Sequence, residues 1–109
     1  MSSPRAVPRP PAMTEKQLTR IVADAATTFG WRRYHTHRSD FSPAGYPDET
    51  LLRGHQLIFA ELKSDTGKLS PLQTEWLDDL GRNQPGRVTD VRAYLWRPDD
   101  IETIIRVLR

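Results

Sequence analysis

Leu18, Ile21, Val22, Ala25 and Phe29 recur at three- and four-residue intervals, the spacing of one helical face. Ahead of them "TEKQ" offers Thr14 as a cap with Gln17 as its capping-box partner, and Gly30 supplies a stop. The aromatic and β-branched run "WRRYHTHR", 31–38, predicts a strand whose alternation the arginines blur. A turn-rich loop, "SDFSPAGYPD", leads to "ETLLRGHQLIFAELK", 49–63, which reads as two short strands folded back at Arg53-Gly54-His55. Beyond the polar "SDTGK", Ser70 caps a second helix with Pro71 at its first position and Gln73 three residues after the cap. Leu72, Trp76, Leu77 and Leu80 are its expected core stripe. "NQPG" breaks the chain, "RVTDVRAYLW", 87–96, predicts a last strand, and Asp99 or Asp100 caps a helix bearing Ile101, Ile104, Ile105 and Leu108. The expected order is α-β-β-β-α-β-α, an α+β fold with a central mixed sheet flanked by helices.

The chain has 109 residues, enough for one domain with a real core and too few for two. "MSSPRAVPRPPA", 1–12, carries four of the nine prolines and reads as a disordered tail, leaving 13–109 as the folded domain. No apolar run approaches the roughly 20 residues of a spanning helix, and the N-terminus lacks the apolar centre of a secretory signal, so the expected address is cytoplasmic. The absence of cysteine excludes a disulfide scaffold and thiolate metal sites. A formal charge of +2 permits an anionic partner without requiring one.

Asp48 follows a Pro-containing turn, and Glu61 and Lys63 sit two apart inside the apolar run thirteen residues on. In a strand over 56–63, Leu57, Phe59, Glu61 and Lys63 share one face and Ile58, Ala60 and Leu62 the other. A hairpin closing at Gly54 brings Asp48 to the same sheet end as Glu61. Two carboxylates and an ammonium then converge. That set suits phosphodiester hydrolysis: hard oxygen ligands for Mg²⁺ or Mn²⁺, with the Leu62 carbonyl as a third, and a cation that orients water and offsets charge. The same spacing also describes a surface cross-strand charge pair without catalytic role.

"GYPD" followed by "FAELKSDTGKLSPLQTEW" resembles the PD-(D/E)XK nuclease superfamily and, within it, a small stand-alone VRR-NUC domain. The shared pieces are Gly45, Pro47 and Asp48, then Glu61 and Lys63, then Gly67 to Ser70 with Gln73, and Trp76. The resemblance implies a restriction-endonuclease-like core and a metal-dependent DNA endonuclease selective for branched, flapped or junction DNA. It implies Asp48 and Glu61 as ligands of Mg²⁺ or Mn²⁺, Lys63 as water-positioning base or charge stabiliser, and Glu15 on the first helix as a further acid at the metal. It also implies a homodimer, for which the final strand and its aromatic residues are candidate interface elements. Glu49 departs from the family pattern, which continues with an apolar residue; it leaves the start of the strand open and is a competitor for metal.

Gln73 has two readings, closure of the capping box on Ser70 or a side chain aimed into the site, and the two call for different side-chain directions. Arg32, Arg33, His35, His37 and Arg38, with Lys68, read either as a solvated polar face or as phosphate contacts; His35 and His37 also have the spacing of a metal pair. Pro98-Asp99 repeats the Pro-Asp pair without a following Glu-x-Lys and reads as a helix cap. The competing functions are a non-catalytic nucleic-acid-binding module on the same scaffold and a protein-interaction domain. The latter requires Trp76, Trp96 and Tyr94 to form an exposed patch.

Overall fold

In the computed structural model, which describes residues 12–37, 43–82 and 90–109, Thr14 opens the first helix. Its hydroxyl accepts from the Gln17 amide at 3.1 Å, and the Gln17 side chain accepts from the Thr14 amide at 2.8 Å. Two orphan donors of the helix end are thereby satisfied. Helix α1 spans Glu15–Thr28, and Gly30, at φ 77°, turns the chain out of it. Strands β1 (Arg32–His35), β2 (Glu49–Arg53) and β3 (Gln56–Leu62) follow, then α2 (Pro71–Gly81), β4 (Asp90–Trp96), a short 3₁₀ turn (Pro98–Asp100) and α3 (Ile101–Leu108). The order of elements is the expected one. The tail 1–11, Arg38, the "NQPG" break and the first residues of the last strand, 87–89, lie outside the described residues.

The sheet order is β1-β2-β3-β4, antiparallel through β3 and parallel between β3 and β4. Arg53 faces Gln56 across a two-residue loop in which Gly54 takes φ 59°, the conformation a tight hairpin turn requires of its first residue. Alternation then divides the sheet. Leu51, Ile58, Ala60, Leu62 and Trp96 point to the side of α1 and α3, where Leu18, Val22, Ala26, Ile104 and Leu108 complete the core. Phe59 and Ala93, opposite each other in the register, point to the side of α2. Three layers result, with the mixed sheet in the middle.

Three local expectations change. β1 is shorter than 31–38 because Trp31 leaves the sheet: its ring is buried and its Nε1 donates to the Leu108 carbonyl at 2.8 Å. Asp100 accepts from the Arg97 amide at 2.8 Å and so holds the 3₁₀ turn rather than capping α3 through its side chain. Leu72, assigned to the core stripe of α2, is 48% exposed. No helix among the described residues is long and apolar enough to cross a membrane.

Arg53 ties the ends of the layers together. Its guanidinium lies 4.4 Å from the centre of the Trp31 ring and donates to the carbonyls of Phe29, Leu108 and Arg109 at 3.0, 2.8 and 3.2 Å. These carbonyls lie at the C-terminal ends of α1 and α3, where a cation complements the helix dipoles. Arg53→Ala is expected to lower stability by on the order of 2–3 kcal/mol, the value of charge-assisted bonds to the carbonyls of the helix ends. Urea unfolding checks it, with the midpoint falling while the slope stays constant.

Candidate active site

Glu49 pairs with Ala60 in the β2–β3 register, so Asp48, just before β2, and Glu61, just after Ala60, lie on the same sheet face. The Leu62 amide donates to Asp48 Oδ2 at 3.0 Å, holding the aspartate against the end of β3. Glu61 is 1% exposed. Its Oε1 accepts from Gln73 Nε2 at 2.8 Å and lies 3.7 Å from Lys63 Nζ. Its Oε2 is buried and meets no donor among the described residues. Burial first, then the neighbouring Asp48, push the Glu61 carboxyl up to about 8, against a smaller downward pull from Lys63. A solvated surface charge pair has none of these features, and that reading of Glu61 and Lys63 is set aside.

Gln73 closes the capping box on Ser70 and also turns its amide nitrogen to Glu61. Its Oε1 accepts from the Ser70 amide at 2.9 Å, its backbone amide donates to Ser70 Oγ at 3.1 Å, and its Nε2 remains for Glu61. The two readings conflict only if the amide group is treated as having one end. Turning Gln73 toward the sheet also explains Leu72, which stands one residue, about 100°, round the helix and comes out on the solvent side. The inward stripe is Gln73, Trp76, Leu77 and Leu80, each partly buried.

Gly45, at φ 87°, rests directly on this helix start: a Cβ there would stand 2.6 Å from the Leu72 carbonyl carbon and 2.8 Å from the Gln73 nitrogen. Only glycine permits that approach. Tyr46 then sets its ring edge-on to Trp76 and Phe59, at 5.1 and 6.3 Å. On the other side of the site, Arg97 Nη1 donates to the carbonyls of Ser64 and Gly67 at 2.7 and 2.6 Å, fixing the loop between β3 and α2. The Arg97 contact escaped the sequence reading, since no local pattern connects residues thirty or more apart.

Glu15 opens onto a cavity of about 420 Å³ that it shares with Asp48, Lys16, Thr19, His35, Thr36 and His37. The acid named by family resemblance thus faces the space in front of Asp48. Glu49 does not. It begins β2 and points to the opposite face, fully buried, where Arg33 Nε and Nη2 donate to its two oxygens at 2.7 Å each and His35 Nδ1 lies 2.8 Å from Oε1. Because a carboxylate only accepts, His35 Nδ1 carries the proton. Arg33 is therefore paired with Glu49 while remaining exposed, as Arg32 and Lys68 are. Alternation held the signal for this cluster: Arg33 and His35 share the β1 face that meets Glu49. The His35 and His37 rings sit edge-on with centres 6.5 Å apart.

No group of three or more His, Cys, Asp or Glu side chains among the described residues is gathered as a metal cage. Mg²⁺ retains several waters and commonly takes only one or two carboxylates. Trp96 is buried and Tyr94 stacks on it at 5.2 Å against the core, so the aromatic patch required of an interaction domain does not form. The same burial removes Trp96 from the expected dimer interface.

Glu61 makes stability depend on pH. With its carboxyl pushed up to about 8 from an ordinary 4.5, the folded chain holds a proton that the unfolded chain releases across that interval. Stability in chelator is therefore greatest below about 4.5 with respect to this group and is lost as pH rises through about 8. Glu61→Gln removes the titration and should raise the melting temperature at pH 9 by at least about 4–8 °C, the shift expected for 1 kcal/mol in a domain of this size, with the difference closing toward pH 5. Melting curves across pH check it, and parallel curves for the two proteins would detach Glu61 from its burial. No family model matches the chain and no curated protein matches it, so the functional reading rests on the geometry and on the motif resemblance.

Proposed function

We propose that the chain is a Mg²⁺- or Mn²⁺-dependent endonuclease that hydrolyses DNA phosphodiesters, selective for branched, flapped or junction DNA as its likeness to VRR-NUC domains implies. The observation that carries this reading is Glu61: a buried carboxylate beside Asp48, with one oxygen held by Gln73 and Lys63 and the other without a donor among the described residues. Two adjacent carboxylates in a low-dielectric site disfavour each other's charge. A divalent cation removes that conflict, so the donor set fits a hard metal.

Asp48 and Glu61 would hold the ion, with Glu15 opening on the cavity that Asp48 lines and the Leu62 carbonyl as a further oxygen. The metal supplies Lewis-acid polarisation of the phosphoryl oxygen and lowers the pKa of bound water. Lys63 brings positive charge to the carboxylate pair and stabilises charge that accumulates in the transition state. Gln73 keeps Glu61 oriented, since its own amide is fixed by Ser70. Arg32 and Lys68 supply sequence-independent phosphate contacts. Pairing of two copies would set two sites on opposed strands, and β1 and β4 are the sheet edges open to it.

Cleavage of a panel of duplex, nicked, flapped and four-way DNA with Mg²⁺ and with Mn²⁺ tests the reading. Lys63→Ala should cut on the order of 10² to 10³ more slowly with DNA affinity little changed, and Asp48→Ala should abolish Mn²⁺ binding in calorimetry. Wild-type protein that binds the panel and cuts nothing would establish the binding-module reading instead. Equal rates for wild type and Lys63→Ala would move the active site elsewhere.

A further inference from the structure

On the α2 side of the sheet, α2 packs against β3 and β4. The β1–β2 half of this face has no helix on it among the described residues, and its side chains Tyr34 and Leu52 are 59% and 41% exposed. At the boundary lies a cavity of about 310 Å³ lined by Tyr34, Thr36, Pro43, Tyr46 and Trp76. Among the described residues its lining contributes three aromatic rings and no charged side chain. Thr36 lines both this cavity and the one containing Asp48 and Glu15, so the two spaces adjoin. Tyr46 stands two residues before Asp48, and Trp76 three residues after Gln73, which bonds Glu61.

We infer that this aromatic cavity binds a single unpaired nucleobase, stacked on Tyr34, of a strand whose backbone enters the carboxylate site. The inference rests on the nuclease reading for the second half of that statement only. The exposed Tyr34 ring offers a face for stacking, and base–aromatic stacking tolerates every base because each has a π-face. An aromatic cage for a methylated ammonium would place an acid among the rings, and among the described residues this lining has none. Arg32 lies two positions from Tyr34 on the same face of β1 and is exposed, where it meets a phosphate flanking the stacked base. Thr36 Oγ1 already donates to the Pro47 carbonyl at 2.8 Å, so the wall between the two cavities is fixed before a strand arrives. The substrate class follows: single-stranded segments, flaps and junctions with unpaired positions, in preference to continuous duplex.

Binding in chelator, read by fluorescence anisotropy on the full chain, separates stacking from cleavage. The probes are a labelled oligothymidylate, its abasic counterpart of equal length, an oligouridylate and a blunt duplex. Tyr34→Ala should weaken oligothymidylate binding roughly 5- to 150-fold, the span of one lost base–aromatic stack. Tyr34→Phe should stay within about twofold of wild type, since it keeps the ring face. Abasic DNA should bind wild type and Tyr34→Ala alike. A loss confined to oligothymidylate assigns the cavity to DNA, and an equal loss with oligouridylate to either nucleic acid. Equal oligothymidylate affinities for wild type and Tyr34→Ala, or abasic DNA binding as tightly as the intact strand, overturn the proposal. Tyr34-dependent binding without cleavage of any DNA overturns the nuclease reading and leaves the cavity standing; cleavage indifferent to unpaired bases does the reverse.

Discussion

A carboxylate taken out of water needs a compensating charge or donor for each oxygen, and Glu61 has that for one oxygen only. It sits at the end of β3, the strand buried on both faces between β2 and β4. Asp48 beside it raises the cost of charge further. A sequence selected for stability alone would place an apolar residue here, as the four preceding residues of β3 nearly do. The strained carboxylate is tolerated because the surrounding elements hold it rigidly, and that arrangement governs the α2 side of the molecule.

Rigidity comes from backbone fit. The turn at 44–48 can rest on the first turn of α2 because Gly45 has no side chain, which fixes the height of that helix above the sheet. The capping box fixes its rotation, since Gln73 is held at its oxygen by Ser70 and so presents its nitrogen to Glu61. Arg97 holds the intervening loop from β4. Glu61 thus receives a donor from a helix that is anchored at three independent places, and a preorganised donor loses little entropy on use.

Most of this architecture was legible locally. Both capping boxes appear as Thr14-x-x-Gln17 and Ser70-x-x-Gln73, the hairpin as a glycine between two apolar runs, and the faces of β3 as simple alternation. Features that depend on contacts between distant segments were not legible. Leu72 has the period of a core residue, yet the demand of Glu61 for Gln73 rotates it outward. The pairing of Arg33 with Glu49 joins residues sixteen apart on neighbouring strands. Arg53 belongs to a turn by its neighbours and to two helix ends by its bonds.

The two faces of the sheet treat charge in opposite ways. On the α1 side, Glu49 receives a bidentate arginine and a histidine, so its charge is neutralised within the protein. On the α2 side, Glu61 has one lysine at 3.7 Å and one side-chain amide donor, and Asp48 one backbone amide. The chain had basic residues to spare, since Arg32 and Lys68 remain exposed. Leaving the second pair underneutralised keeps a negative site that repels a bare phosphate and attracts a divalent cation. On the proposed function a bound cation would reverse that sign, and the adjoining aromatic cavity would then lie beside a site that accepts phosphate. On the proposed function, metal and substrate would therefore be ordered by charge, the cation preceding the nucleic acid at the carboxylates.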